Sequence, residues 1–169
     1  PVEYNIFGIN QIQINEKIGL RFDNTLKFVL RQDPSVIMVG EIRDLETSKL
    51  AIRASITGHK VYSTIHTDDC YQSIIRLMDM GIEDYMIRAS LKVVIAQRLV
   101  RKLCPHCKKK VTPTPEQMEI FRLNGLNPTE IYEPGNCDEC SLGYDGRMAV
   151  MEILKIDDDL RSLIKKDMN

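Results

Sequence analysis

A chain of 169 residues, 43% of them hydrophobic, is long enough to bury one real core, alone or with a small appendage. Its formal charge of −1 gives no global nucleic-acid or membrane signature, and no apolar run approaches the roughly 20 residues that cross a bilayer. With no signal peptide either, the chain reads as cytoplasmic, and because it opens on Pro1 it reads as a fragment whose natural N-terminal part is absent.

Residues 1–15 alternate apolar and polar in Ile12-Gln13-Ile14, with Gly8 as punctuation, and predict one or two short strands. Phe22, Leu26, Val29 and Leu30 fall at helical spacing within 21–32. That helix stops before Asp33-Pro34, where proline disfavours its continuation. Val36-Ile37-Met38-Val39 is too short for a free-standing helix and predicts a strand buried on both faces, as in a parallel sheet. Glu41 follows at its carboxyl end, where open α/β sheets place their ligand crevice. Asp44 is a good N-cap for a helix bearing Leu45, Ile52 and Ile56, which Gly58 closes.

A second strand, 60–65, ends in His66-Thr67-Asp68-Asp69, and Thr67 or Asp68 is predicted to cap the next helix, which carries Ile74, Ile75, Leu77 and Met78 and ends at Gly81. A long helix is predicted over 83–100, with Met86, Leu91, Val94, Ile95 and Leu99 on a broad apolar face. The order β-α-β-α-α is that of an α/β domain with a parallel sheet.

The character changes at 101. Lysines, prolines and cysteines dominate as far as 143, around a capping box at Thr114-Pro115-Glu116-Gln117 whose short helix ends at Gly125. Residues 147–153 predict a strand, and Asp157 caps a last helix with Leu160, Leu163 and Ile164. The expected organisation is an α/β core over 1–100, a tetracysteine subdomain over 101–143, and a strand and helix over 144–169.

Four of the five cysteines form two knuckles, Cys104-Pro-His-Cys107 and Cys137-Asp-Glu-Cys140, separated by 29 residues. Each C-x-x-C turn lets two thiolates converge on one tetrahedral ion, and two turns complete a closed, structural Zn2+ site. A redox pair needs one C-x-x-C at a helix N-terminus, not two in basic loops; a surface disulfide is the other alternative. His106 sits inside a knuckle and reads as exposed, and Cys70 as a bystander thiol. The basic residues Arg98, Arg101, Lys102 and Lys108–Lys110 have no aromatic residue among them for base stacking, so a solvated face is favoured over nucleic-acid binding.

A carboxylate at the end of a parallel strand can orient a water or hold a metal beside a phosphate; an ordinary core strand with a solvated glutamate has the same sequence. His66 ends the second strand and becomes a neighbour of Glu41 if the two strands are adjacent. Leu30-Arg31-Gln32-Asp33-Pro34 followed by Ile37 to Asp44 resembles the Walker B segment of the secretion ATPase superfamily. Thr57-Gly58-His59 through Ser63-Thr64-Ile65-His66-Thr67 resembles its His box, and Pro1-Val2-Glu3-Tyr4 the tail of its Asp box. The four cysteines with Gly143-Tyr144-Asp145-Gly146-Arg147 are similar to the type II secretion and type IV pilus assembly ATPases.

The resemblance implies an α/β, RecA-like parallel sheet lacking its N-terminal strands, with a small zinc subdomain and C-terminal helices. It implies ATP hydrolysis with Mg2+ by a cytoplasmic hexamer, held at the inner membrane through platform proteins. Glu41 is then the catalytic base or the carboxylate that positions the water, His59 and His66 face the γ-phosphate, and Glu3, Arg43 and Arg98 are nucleotide-site residues of lesser weight. The departures are equally definite. No G-x-x-x-x-G-K-[ST] occurs in the sequence, so this chain alone is expected to be inactive. The competing expectation is a non-enzymatic zinc module that scaffolds protein or nucleic-acid contacts.

Overall fold

In the computed structural model, which describes residues 2–165, the apolar run at 36–39 is a strand, β1 (Val36–Val39). It pairs in parallel with β2 (Lys60–Ser63), Val36 opposite Lys60 and Val39 opposite Ser63. The connection is α2 (Leu45–Ile56), the crossover that a parallel pair requires. Asp44 Oδ1 accepts the Thr47 N–H at 2.8 Å, so the predicted cap holds, and Gly58 follows the helix at φ 105°, where a side chain is costly. Ile37 and Val39 pack with Leu26 of α1 (Phe22–Leu30) and with Ala51 and Ala54 of α2.

β1 is not buried on both faces. Val36 and Met38 are 54% and 64% exposed, because α1 and α2 both lie against the alternate side chains, and among the described residues the other face stays open.

A second cluster gathers Ile74 and Leu77 of α3 (Cys70–Asp79), Met86 and Ile87 of α4 (Asp84–Ser90), Ile52 and Ile82, and from far along the chain Ile156 and Ile164, which flank α6 (Asp158–Leu163). Asp157 caps α6 as predicted.

Four local expectations fail. Among the described residues 2–15 there is no strand, only a bridge between Asn15 and Leu20 around a single 3-10 turn at Glu16–Ile18. β2 ends at Ser63, two residues early. The cap of α3 is Asp69, whose Oδ1 accepts the Gln72 N–H at 2.7 Å, and not Thr67 or Asp68. The single helix over 83–100 does not exist: α4 stops at Ser90, Leu91 turns extended, and β3 runs Val93–Leu103. Val93-Val94-Ile95 is a β-branched run that loses side-chain freedom in a helix and fits a pleated surface; the apolar spacing there suits either period.

The chain divides into two compact units. The first holds residues 1–96 and 152–169, the second Gln97–Met151. β3 and the long β6 (Tyr144–Lys155) form one two-stranded sheet and carry the chain into and out of the second unit. There β4 (Lys109–Val111) pairs antiparallel with β5 (Ile131–Glu133). Between them α5 (Pro115–Leu123) begins on the predicted capping box, Thr114 and Gln117 each accepting the other's backbone N–H.

Candidate functional site

Parallel pairing brings the ends of β1 and β2 to the same edge. Beyond the strands, Thr64 ties the two exits together: its hydroxyl donates to Gly40 O at 2.7 Å, and its carbonyl accepts the Ile42 N–H at 2.9 Å. Glu41 and His66 therefore meet, with His66 Nε2 3.3 Å from Glu41 Oε2. Arg43 Nη2 holds the other carboxylate oxygen, Oε1, at 2.5 Å. The Glu41 side chain is only 15% exposed, whereas those of His66 and Arg43 are 86% and 74% exposed.

The Arg43 hydrogen bond, opposed by burial and assisted by the Arg43 charge and by His66, holds the Glu41 carboxyl below the usual carboxylate range. Glu41 is thus an ionised acceptor with one oxygen committed to a guanidinium and the other facing an exposed imidazole. Such a group can orient a water and take its proton. Beside it lies a polar cleft of about 330 Å³ lined by His66, Thr67, Asp68, Gln72, Arg76 and Asp79.

His59 is not brought to this edge. His59 precedes β2, at the opposite end of the strand from His66, and its Nδ1 lies 3.1 Å from Ala54 O and 3.3 Å from Thr57 Oγ1, against the last turn of α2. Glu3 is exposed in the irregular segment before the 3-10 turn, and Arg98 is exposed on β3 within the second unit. Thr64 and the cleft residue Arg76 carry no sequence signal of their own: Thr64 is one hydroxyl among several, and Arg76 follows the ordinary amphipathic pattern of α3.

The second constellation is the tetracysteine cluster. The N-terminal knuckle turns back through the Lys108 N–H donating to Cys104 O at 3.1 Å, and the Cys104 N–H donates to Gly143 O at 2.8 Å. All four Sγ atoms lie within 4.8 Å of one another. The separations are 3.9 Å for Cys104 and Cys137, 3.6 Å for Cys107 and Cys140, and 3.4 Å for Cys137 and Cys140. Four sulfurs bound at ~2.3 Å to one tetrahedral ion lie ~3.8 Å apart, so these thiols fit such an ion with little movement.

Crowding already perturbs them. Burial, then hydrogen bonds with the other thiols, pushes the Cys107 thiol up to about 12, and the hydrogen bond with Cys140 raises Cys137. Burial opposes ionisation of Cys140 too, yet hydrogen bonds from Cys137 and Cys107 bring it down to about 7. The cluster thus favours one thiolate stabilised by its neighbours, and a bound dication would stabilise the rest. His106 lies outside the set, its Nε2 3.5 Å from Glu139 Oε2 of the other knuckle. Nearby cations lie over aromatic rings, Arg101 at 3.9 Å from the Tyr144 centroid and Lys108 at 4.6 Å from that of Tyr132.

A family model described as "Type II/IV secretion system protein" matches residues 1–169. The chain is 46% identical over 168 residues to the "Type II secretion system ATPase E" of Vibrio cholerae, covering 99% of this chain and 33% of that protein. It is 49% identical over 170 residues to the "Type IV pilus assembly ATPase PilB" of Thermus thermophilus, covering 97% and 19%. Among solved structures, the pilus retraction motor PilT with bound ADP matches at a TM-score of 0.59 and 27% identity, over 87% of this chain and 33% of that one. The chain therefore spans a third or less of the length of these relatives.

Proposed function

The chain belongs to the type II/IV secretion system protein family, and on that premise we propose that it carries one half of the hydrolytic site of an ATPase that drives protein secretion or type IV pilus assembly. The observation that carries this reading is Glu41, nearly buried, ionised and held between Arg43 and His66 at the carboxyl edge of a parallel pair. Relatives named as ATPases of both machines support it. Glu41 orients and deprotonates the attacking water; Arg43 keeps its carboxylate charged and fixed; His66 donates to the phosphate oxygen that gains charge in the transition state. The family resemblance assigns Glu3 to the nucleotide site and Arg98 to the neighbourhood of the base. The same resemblance assigns His59 to the γ-phosphate, and its Nδ1 is engaged at the end of α2.

The phosphate cradle and the Mg2+ that accompanies ATP need residues this sequence does not contain, so the chain is inactive by itself. The complete protein works as a cytoplasmic hexamer and hands its movement to inner-membrane platform proteins. Cys104, Cys107, Cys137 and Cys140 hold a structural Zn2+, since four protein sulfurs leave no open position for substrate.

The test is Glu41→Gln in the complete protein. Phosphate release should be abolished while titration with a fluorescent ATP analogue still saturates, because the base is lost and the cradle is not. Turnover at the unmodified rate refutes the role of Glu41.

A further inference from the structure

The segment that carries Glu3 is held in an unusual way. Among the described residues 2–14 no strand ladder satisfies its backbone. Two glutamine side chains do so instead. Gln13 Oε1 accepts the Val2 N–H at 2.7 Å. Gln11 Oε1 accepts the Ile6 N–H at 2.8 Å while Gln11 Nε2 donates to Tyr4 O, also at 2.8 Å. A primary amide carries the same donor and acceptor as a peptide group, so Gln11 acts as one rung of a missing partner strand. The residues on both sides of Glu3 are clamped. The Glu3 side chain projects from between them into solvent.

We propose that Gln11 and Gln13 are positioning residues that present the Glu3 carboxylate to the bound nucleotide. This rests on the assignment of Glu3 to the nucleotide site given above. A structural purpose is a poorer account of the clamp, because it anchors no core: Tyr4, Ile6, Phe7 and Ile9 are all at least half exposed. Exposed hydrogen bonds of this kind contribute little to stability. What they do contribute is a fixed backbone on either side of one carboxylate. An ångström-scale misplacement of such a group costs on the order of tenfold to a hundredfold in rate.

The two amides also make separable demands. For Val2 only the acceptor oxygen of Gln13 matters, so Gln13→Glu keeps that bond and loses only the 3.2 Å donation from Nε2 to Ile14 O. Gln11 uses both ends of its amide, so Gln11→Glu breaks the bond to Tyr4 O.

The experiment is a double-mutant cycle in the complete protein, reading kcat and KM for ATP together with the melting temperature. Gln13→Ala and Gln11→Ala should each lower kcat on the order of tenfold or more with the melting temperature unchanged. Gln13→Glu should restore most of the rate and Gln11→Glu should not. In a Glu3→Ala background the Gln13→Ala change should add nothing further, as expected of residues that act through one group. Full activity of both alanine variants, or losses that multiply with that of Glu3→Ala, overturns the clamp while leaving Glu3 in the site. Normal turnover of Glu3→Ala alone removes Glu3 from the site, and the inference with it.

Discussion

Gly135→Ala is expected to weaken zinc binding at the proposed four-cysteine site without changing a ligand. A Cβ at Gly135 would stand 1.8 Å from Cys107 O, 2.7 Å from Cys107 C and 3.1 Å from Cys107 Cβ. Ordinary contact begins near 3.4 Å, so the two backbones must part by 3.4 − 1.8, or about 1.6 Å. Neither side is a flexible side chain that can swing away. Gly135 is two residues from Cys137, and the obstruction is the ligand Cys107 itself, so the separation is imposed on the two knuckles directly. Metal–sulfur distances tolerate about ±0.2 Å, and a movement several times larger takes at least one sulfur out of reach. Overpacking against backbone at the upper end of its usual range, about 3 kcal/mol, corresponds to roughly a hundredfold in affinity. The assay is zinc per chain by elemental analysis, with the affinity measured by chelator competition. Gly146→Ala is the control: Gly146 sits at φ 74° with nothing within 4 Å of a built Cβ. It should cost about 1–2 kcal/mol of backbone strain and keep its zinc. Undiminished zinc affinity in Gly135→Ala would refute the close apposition of the knuckles and the metal geometry drawn from it.

Arg43→Gln in the complete protein should move the acid limb of the pH–rate profile to higher pH. Glu41 is held ionised to unusually low pH chiefly by Arg43, and without it the carboxyl protonates nearer its ordinary range; an unmoved limb means Arg43 does not act on Glu41. Ile87→Ala, at a fully buried position of the larger apolar cluster, should lower stability by about 2–5 kcal/mol in urea unfolding. Leu142→Asn should raise stability by about 1 kcal/mol, because Leu142 stands at φ 53°, where asparagine is better tolerated. Leu142 is also 77% exposed, so no burial is lost, and an unchanged denaturation midpoint at constant slope would show that the strain is absent.

What was legible from residues alone was local chemistry. Asp44, Thr114 with Gln117, and Asp157 announce helix starts because each satisfies a backbone N–H within three residues of itself. The four thiols were legible because the C-x-x-C turn sets their geometry before any tertiary contact forms. The meeting of Glu41 and His66 followed from a single assumption, that β1 and β2 lie side by side. The failures lie where a period is ambiguous or a partner is distant. Met86 to Leu99 satisfies a helical stripe, yet Val93-Val94-Ile95 belongs to a strand whose pairing partner, β6, lies far along the chain. Ile12-Gln13-Ile14 alternates like a strand, but Gln13 spends its amide on Val2 and the ladder never forms. The Arg43 bond to Glu41 and the bridging Thr64 rest on side-chain directions that no spacing rule encodes.

The cluster that contains Ile74 and Ile87 is completed by Ile156 and Ile164. The whole unit of Gln97–Met151 lies between these halves in the chain. On the ribosome the first unit therefore waits, its apolar α3 and α4 exposed, until Ile156 and Ile164 have emerged. By then the intervening unit has had time to fold. Closing a loose loop of that length costs entropy that grows with its length, and a folded insertion with its ends already brought together removes much of this cost. Zinc capture by the four cysteines, as proposed above, would thus be coupled to maturation of the first unit's core. Cells starved of zinc should accumulate a nascent or newly released chain that is cut by proteases between α2 and α4, well away from any cysteine of the cluster.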